Sequence, residues 1–215
     1  MKQLLTLLIA LLIATPAFAQ QKREEAKNKA GALYYTHSGS SYVLHDNTAN
    51  VDYTGTGNIV GPAFFYERII LSRFTVGVTY SSMLERSMDI KTSTATVNVV
   101  ENITMTTFDF KAYFKDHRRP GWKPYLGVSF GTMAVADTLS VTTTGTTTAT
   151  EEETKATVPV TFLRAGMDLT MGFGGVRIDF GQATGSRRDL ESSTNYRAKY
   201  VMDGSSLAIG VFSHF

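Results

Sequence analysis

The alternation of side-chain character along this chain constrains its fold more than any other feature. Near the end, Leu207, Ile209, Val211 and Phe215 share one parity, while Ala208, Gly210, Phe212 and His214 share the other. The first set is bulky and apolar, the second mostly small or polar, which is the period of a strand with two unlike faces. The same pattern recurs upstream. Phe74, Val76, Val78 and Tyr80 fall on one side, as do Phe108, Phe110, Ala112 and Phe114. Leu163, Ala165, Met167, Leu169 and Met171 repeat it, and so do Val176, Ile178 and Phe180. The opposite faces carry Gly, Ser and Thr with a few charges at mid-strand. A soluble β-sandwich also alternates, but it would hide one face and show charge on the other.

Eight strand segments are predicted, over 31–44, 59–70, 73–88, 97–115, 122–141, 156–171, 176–183 and 200–215. Their connections alternate in length. Those at 71–72, 116–121 and 172–175 are short; those at 47–58, 89–96, 142–155 and 184–199 are long and polar. Transmembrane β-barrels have short periplasmic turns and long outer loops. An even strand number puts both termini on the periplasmic side, where the short turns also fall. The expected fold class is all-β: an eight-stranded antiparallel transmembrane β-barrel in an up-and-down meander.

The first residues support this. Lys2 precedes an almost wholly apolar run from Leu4 to Ala14, and Ala17, Phe18 and Ala19 form an A-x-A exit. This is the pattern of a secretory signal peptide over 1–19. The run of 11 residues is too short for a membrane-spanning helix, which needs about 20. A short periplasmic lead-in is expected over 20–30, then the barrel over 31–215. With no Cys in the chain, disulfides, thiolate metal sites and a lipid-modified N-terminal Cys are excluded. Lys plus Arg number 21 against 19 Asp plus Glu, so no basic excess points to nucleic acid. Mean hydropathy is −0.07; a barrel averages out in this way because lipid-facing and lumen-facing residues alternate. Trp122, Tyr125, Phe114 and Tyr113 are expected to form an aromatic girdle at the periplasmic boundary.

The charges on the inner parity are the candidate chemistry. Glu67, Asp109, Lys111, Arg164, Asp168, Arg177 and Asp179 fall there, with Arg73 near the periplasmic end. An eight-stranded lumen is wide enough only for side chains to fill, and a buried charge must be paired. A salt-bridge network closing the barrel is therefore expected, with a narrow pore lined by the same groups as the alternative. No cofactor and no metal site is expected. The segments 138–157 and 91–107 are rich in Thr, a strand former, so they read as strands extended above the bilayer. Such a sheet offers an edge to an extracellular protein partner. Arg187, Arg188, Arg197 and Lys199 are candidates for contact with lipopolysaccharide phosphates.

The mature chain resembles the small outer-membrane barrels of the OmpA, OmpX and OmpW type. The features that carry the likeness are the signal, the strand count, Gly61-Pro62, the stretch GWKPYLGVSFG at 121–131 and the terminal Phe215. The resemblance implies outer-membrane localisation, lipid and lipopolysaccharide as surroundings, and Gly210 with Phe215 as a signal to the barrel-assembly machinery. Ser213 and Ile209 depart from that signal. It also implies three roles. The first is structural or surface interaction, in adhesion or defence. The alternative is diffusion of small solutes or hydrophobic molecules, which calls for an apolar lumen that the charges argue against. The third is lipid A modification. The His-x-Ser-Asn pattern of the deacylase barrels is absent, which leaves only His45 with Ser40 or Ser41; no catalytic residue is assigned.

Overall fold

A computed structural model describes residues 27–46, 50–91, 95–116, 120–143, 146–148, 154–193 and 196–215. The expected signal peptide at 1–19, most of the lead-in and His117 lie outside the described residues.

Eight strands close a ring: β1 (Asn28–Ser38), β4 (Ile59–Leu71), β5 (Phe74–Lys91), β6 (Ala95–Tyr113), β7 (Gly121–Thr143), β9 (Thr154–Met171), β10 (Gly174–Thr184) and β13 (Gly204–His214). Every neighbouring pair is antiparallel. The terminal strands close the ring from Lys29↔His214 to Ser38↔Ser205, and β6 pairs β7 from Ala95↔Thr143 to Tyr113↔Tyr125. The barrel opens at Asn28, three residues before the expected boundary, because the alternation already holds at Lys29.

The end of the first expected strand and two of the segments expected as polar loops form a second sheet instead. β2 (Ser41–Asp46), β3 (Val51–Thr56), β11 (Ser186–Ser193) and β12 (Tyr196–Val201) pair in the order β11-β12-β2-β3. They continue β1, β4, β10 and β13 upward, bent away from the ring. The bend has a local cause. Gly39 (φ 91°) and Gly204 (φ 136°) lie on adjacent strands in conformations that side-chain-bearing residues avoid. A Cβ on Gly204 would stand 1.9 Å from the carbonyl oxygen of Ser38. Across from this sheet, β5, β6, β7 and β9 rise without a break, with β8 (Thr146–Thr148) against β7. The described residues of the Thr-rich segments, 95–107, 138–143, 146–148 and 154–157, are strands.

The two walls meet along seams. The β4–β5 ladder slips between Phe64↔Tyr80 and Val60↔Glu85. Pro62 sits in the slip and has no N–H to offer; its carbonyl accepts from the Ser81 hydroxyl. Above it, β3 is an edge of its own sheet and lies directly on β5: Cβ atoms at Gly55 and Gly57 would collide with Met88 and with the Ser87 carbonyl. At the other seam Gly185 approaches Pro159 in the same way.

The outer surface of the ring is an apolar belt. Phe64, Phe74, Phe108, Leu126, Leu163 and Phe180 are all exposed. Exposed apolar area on this scale marks a surface that meets lipid. Above Met83, Phe108 and Phe130 the outward positions turn to Glu85, Thr106 and Thr132, which marks the upper limit of the belt.

Candidate functional site

Inside the belt the barrel is filled by charge. Arg177 is the hub. Its Nη1 and Nη2 donate to the two oxygens of Glu67 at 2.6 and 2.9 Å. Its Nε donates to Asp168 Oδ1 at 2.8 Å, and Nη2 reaches Asp168 Oδ2 and the Tyr113 hydroxyl at 3.0 and 2.9 Å. Lys29 adds a second cation, 2.6 Å from Asp168 and 3.4 Å from Glu67. Lys111 donates to Glu67 at 2.7 Å and lies 3.7 Å from Asp179. Arg164 pairs with Asp179 at 3.3 Å and donates to the Ser129 hydroxyl at 2.6 Å. Asp109 accepts from the Thr79 and Thr107 hydroxyls. Aromatic faces complete the packing: Arg177 lies 4.2 Å from the Phe65 ring centre and Arg164 4.8 Å from that of Phe162.

Seven of the eight predicted lumen charges therefore meet inside the barrel. The eighth, Arg73, does not. It is exposed in the β4–β5 turn, beyond the last rung of the ladder, where its backbone carbonyl accepts from Tyr113. Lys29 takes its place, and Lys123 on β7, opposite Asp168, is a further buried cation. Tyr113 and Tyr125 are also corrected. Both are buried in the network rather than in a girdle, while Trp122 and Phe114 do face outward. Their parity, shared with Lys111 and opposed to Leu126, was the signal that places them inside.

Above the belt the interior changes character. Leu84, Met88, Ile103, Met133, Val158 and Met202 belong to one continuous buried apolar cluster. The charges that argued against an apolar lumen are confined to the membrane half. One polar row crosses this upper interior. Arg86 lies opposite Glu101, and Glu101 opposite Asp137. Arg86 makes a two-pronged pair with Glu101, through Nε and through Nη2 at 2.7 Å. Tyr200, from the second sheet, donates its hydroxyl to Asp137. Sequence reasoning missed this row: Arg86 and Asp137 lie near the ends of predicted strands, and Glu101 in a Thr-rich segment read as an extension.

The row carries one more carboxyl than cation. Burial, reinforced by the Glu101 charge, pushes the Asp137 carboxyl up to about 7; the Tyr200 hydroxyl and Arg86 oppose the shift. Burial also raises Glu101, against its hydrogen bond to Arg86. A carboxyl raised on folding holds its proton where the unfolded chain has lost it. Stability from Asp137 is therefore greatest at acid pH, falls as pH rises from about 4 to about 7, and is flat above. Proteolysis of the second sheet should be slower at pH 5 than at pH 8 in the wild type, and Asp137→Asn should flatten the difference. A wild type indifferent to pH over this window would sink the assignment.

The remaining candidates separate. Ser40 donates to the Gly57 carbonyl at 3.1 Å, and His45 pairs with Asp52 at 2.7 Å. Ser40 and His45 therefore face different partners, and Ser41 lies in the β2 ladder opposite Thr56 and Val201. Lys199 is half-buried on β12; Arg187 lies on β11 opposite Tyr200, and Arg197 on β12 opposite His45. The side chains of Arg187, Arg188 and Arg197 lie outside the described residues. Gly210 stands opposite Leu33 and Arg177, and Phe215 exchanges backbone hydrogen bonds with Asn28 at 3.0 and 3.1 Å.

No family model and no curated protein matches the chain. Solved structures do. The outer membrane protein OprG from Pseudomonas aeruginosa superposes with a TM-score of 0.58 at 10% identity, covering 88% of this chain and 96% of that one. The outer membrane protein AlkL superposes with a TM-score of 0.52 at 13% identity, over 88% of this chain and 90% of that one. At these identities the likeness is one of fold. A closed ring of eight antiparallel strands, an apolar belt outside it and these two superpositions together give the chain the fold of the small eight-stranded outer-membrane β-barrels.

Proposed function

We propose that this protein is an axially closed outer-membrane barrel that admits small apolar molecules into its outer half and releases them sideways into the membrane. The observation that carries this reading is the segregation of the interior. Paired charges fill the membrane half, where an eight-stranded lumen has no room to spare; the buried apolar cluster runs from Phe65 and Phe212 beside them into the half above, where Leu84, Met88, Met133 and Met202 lie. Methionine is flexible and adapts its packing to different shapes. Release is sideways because the axis is blocked, whereas the β4–β5 ladder slips at Pro62 and the β9–β10 ladder ends at Thr184↔Thr161, just before Gly185. In this reading residues 1–19 direct export, Gly210 and Phe215 address the assembly machinery, and Arg187, Arg188, Arg197 and Lys199 meet lipopolysaccharide.

The test sets two fluxes side by side. Purified protein in a planar bilayer should give no steady ion channel. In vesicles with a lipopolysaccharide outer leaflet, the same protein should speed the entry of naphthalene several-fold. A reproducible ion conductance would make the charges the lining of an axial pore. If neither flux appears, the surface-interaction reading takes over. That reading has its own support, since β5, β6, β7 and β9 rise above the belt, with the three-residue β8 paired to β7. It expects deletion of 142–155 to abolish an adhesion or serum-resistance phenotype while the barrel still folds.

A further inference from the structure

We infer that the outer half holds a polar anchor for one hydroxyl group, so that the molecules it takes are apolar bodies bearing a single neutral hydroxyl: alcohols or phenols rather than plain hydrocarbons or fatty carboxylates. The inference rests on the apolar-interior reading above and narrows its substrate class.

The anchor is the row of Arg86, Glu101 and Asp137. Arg86 is 1% exposed, and Glu101 and Asp137 are 0% exposed. Their neighbours on the same face are apolar: Leu84 and Met88 beside Arg86, Ile103 and Val99 beside Glu101, Val135 beside Asp137. Within the row most polar atoms are used. Glu101 spends both oxygens on Arg86, and Asp137 accepts from Tyr200. Two atoms are left over. Arg86 Nη1 and Asp137 Oδ1 are both buried, and neither has a hydrogen-bond partner among the described residues. Buried polar groups are ordinarily satisfied, and those that are not call for an explanation.

One is a donor and the other an acceptor. A hydroxyl is both, so it suits either atom, accepting from Arg86 or donating to Asp137. A hydrocarbon offers neither. A carboxylate cannot donate, and it would add a third negative charge where two carboxyls already face one guanidinium. Glycine at 57 brings the second sheet onto this spot: a Cβ there would stand 3.1 Å from Arg86 Cγ.

The probes are 1-hexanol, hexane and hexanoate, added at pH 8 to the mature chain in phosphatidylcholine nanodiscs with ¹³C-labelled methionine methyls. Met88, Met105, Met133 and Met202 report the interior, and the exposed Met83 and Met171 report partition into lipid. Hexanol should shift the interior methyls at about tenfold lower concentration than hexane, the effect of one hydrogen bond to a charged group. Hexanoate should leave them unmoved. Asp137→Leu should bring hexanol down to hexane. Asp137→Asn keeps a partner for Tyr200 and removes one charge, so hexanoate should gain access in that variant even if Asp137→Leu does not fold. Equal shifts by hexanol and hexane in the wild type would overturn the anchor and leave the apolar reading standing, as would a hexanol preference that survives Asp137→Leu. Interior methyls silent to all three probes would overturn both.

Discussion

Arg177→Met is expected to lower the unfolding free energy of the barrel by about 3–5 kcal/mol, the usual cost of removing one partner from a buried ion pair. The guanidinium is fully buried and holds Glu67 and Asp168 at once. Without it, Glu67 retains Lys111 and Lys29, and Asp168 retains Lys29. The guanidinium that forked between the two carboxylates is then missing from a space closed to water. Met is close in volume, so the loss measures charge rather than a cavity. Arg177→Lys should recover only part of it, because a point charge cannot fork between two carboxylates as a guanidinium does. The measurement is urea unfolding in lipid vesicles followed by Trp122 fluorescence. A wild-type midpoint for Arg177→Met would mean that the network is solvated, and a pore lined by these groups would become the better reading.

Gly210→Ala is expected to have the second large effect, on closure of the ring. β13 pairs β1 here, and the first and last strands must dock for the barrel to exist. A Cβ at 210 would stand 1.9 Å from the Ala32 carbonyl oxygen and 2.7 Å from the Leu33 Cα. Both are backbone atoms inside a ladder, so no side chain can turn aside. Overpacking of this kind costs about 1–3 kcal/mol when the surroundings yield, and here they are hydrogen-bonded on both sides. The folding yield should fall sharply in Gly210→Ala and more so in Gly210→Val, scored as the fraction of chain that keeps its compact gel mobility without heating. Gly121→Ala isolates backbone strain, since a Cβ there meets nothing within 4 Å but the residue lies at φ 104°. A wild-type yield for Gly210→Ala would show that the approach of β13 to β1 is not limiting.

The placing of Lys29, Arg73, Tyr113 and Tyr125 shows how far the sequence reaches. The two tyrosines were legible by parity, and so was Lys29, two residues before the expected boundary. Arg73 was misplaced because parity loses its meaning at a turn, where the ladder ends and a side chain swings free. The upper row of Arg86, Glu101 and Asp137 was harder to find. Each residue alternates correctly with apolar neighbours, but towards the outer end of a strand both faces can be wet. Whether the inner face is buried depends on what stands opposite.

The sequence by itself determined the ring: eight alternating segments, the hand-over from short to long connections, the outward apolar belt, and an inner face whose charges had to pair because so narrow a lumen excludes water. These are local properties, since the period of a strand is two wherever it lies. Only the tertiary structure decided that 41–56 and 186–201 form a sheet of their own, bent off at Gly39 and Gly204 and laid against β5 and β9. That packing turns the upper half into an apolar interior and leaves Asp137 buried beneath Tyr200. The two residues are 63 positions apart, and no spacing along the chain foretells a contact made between two walls.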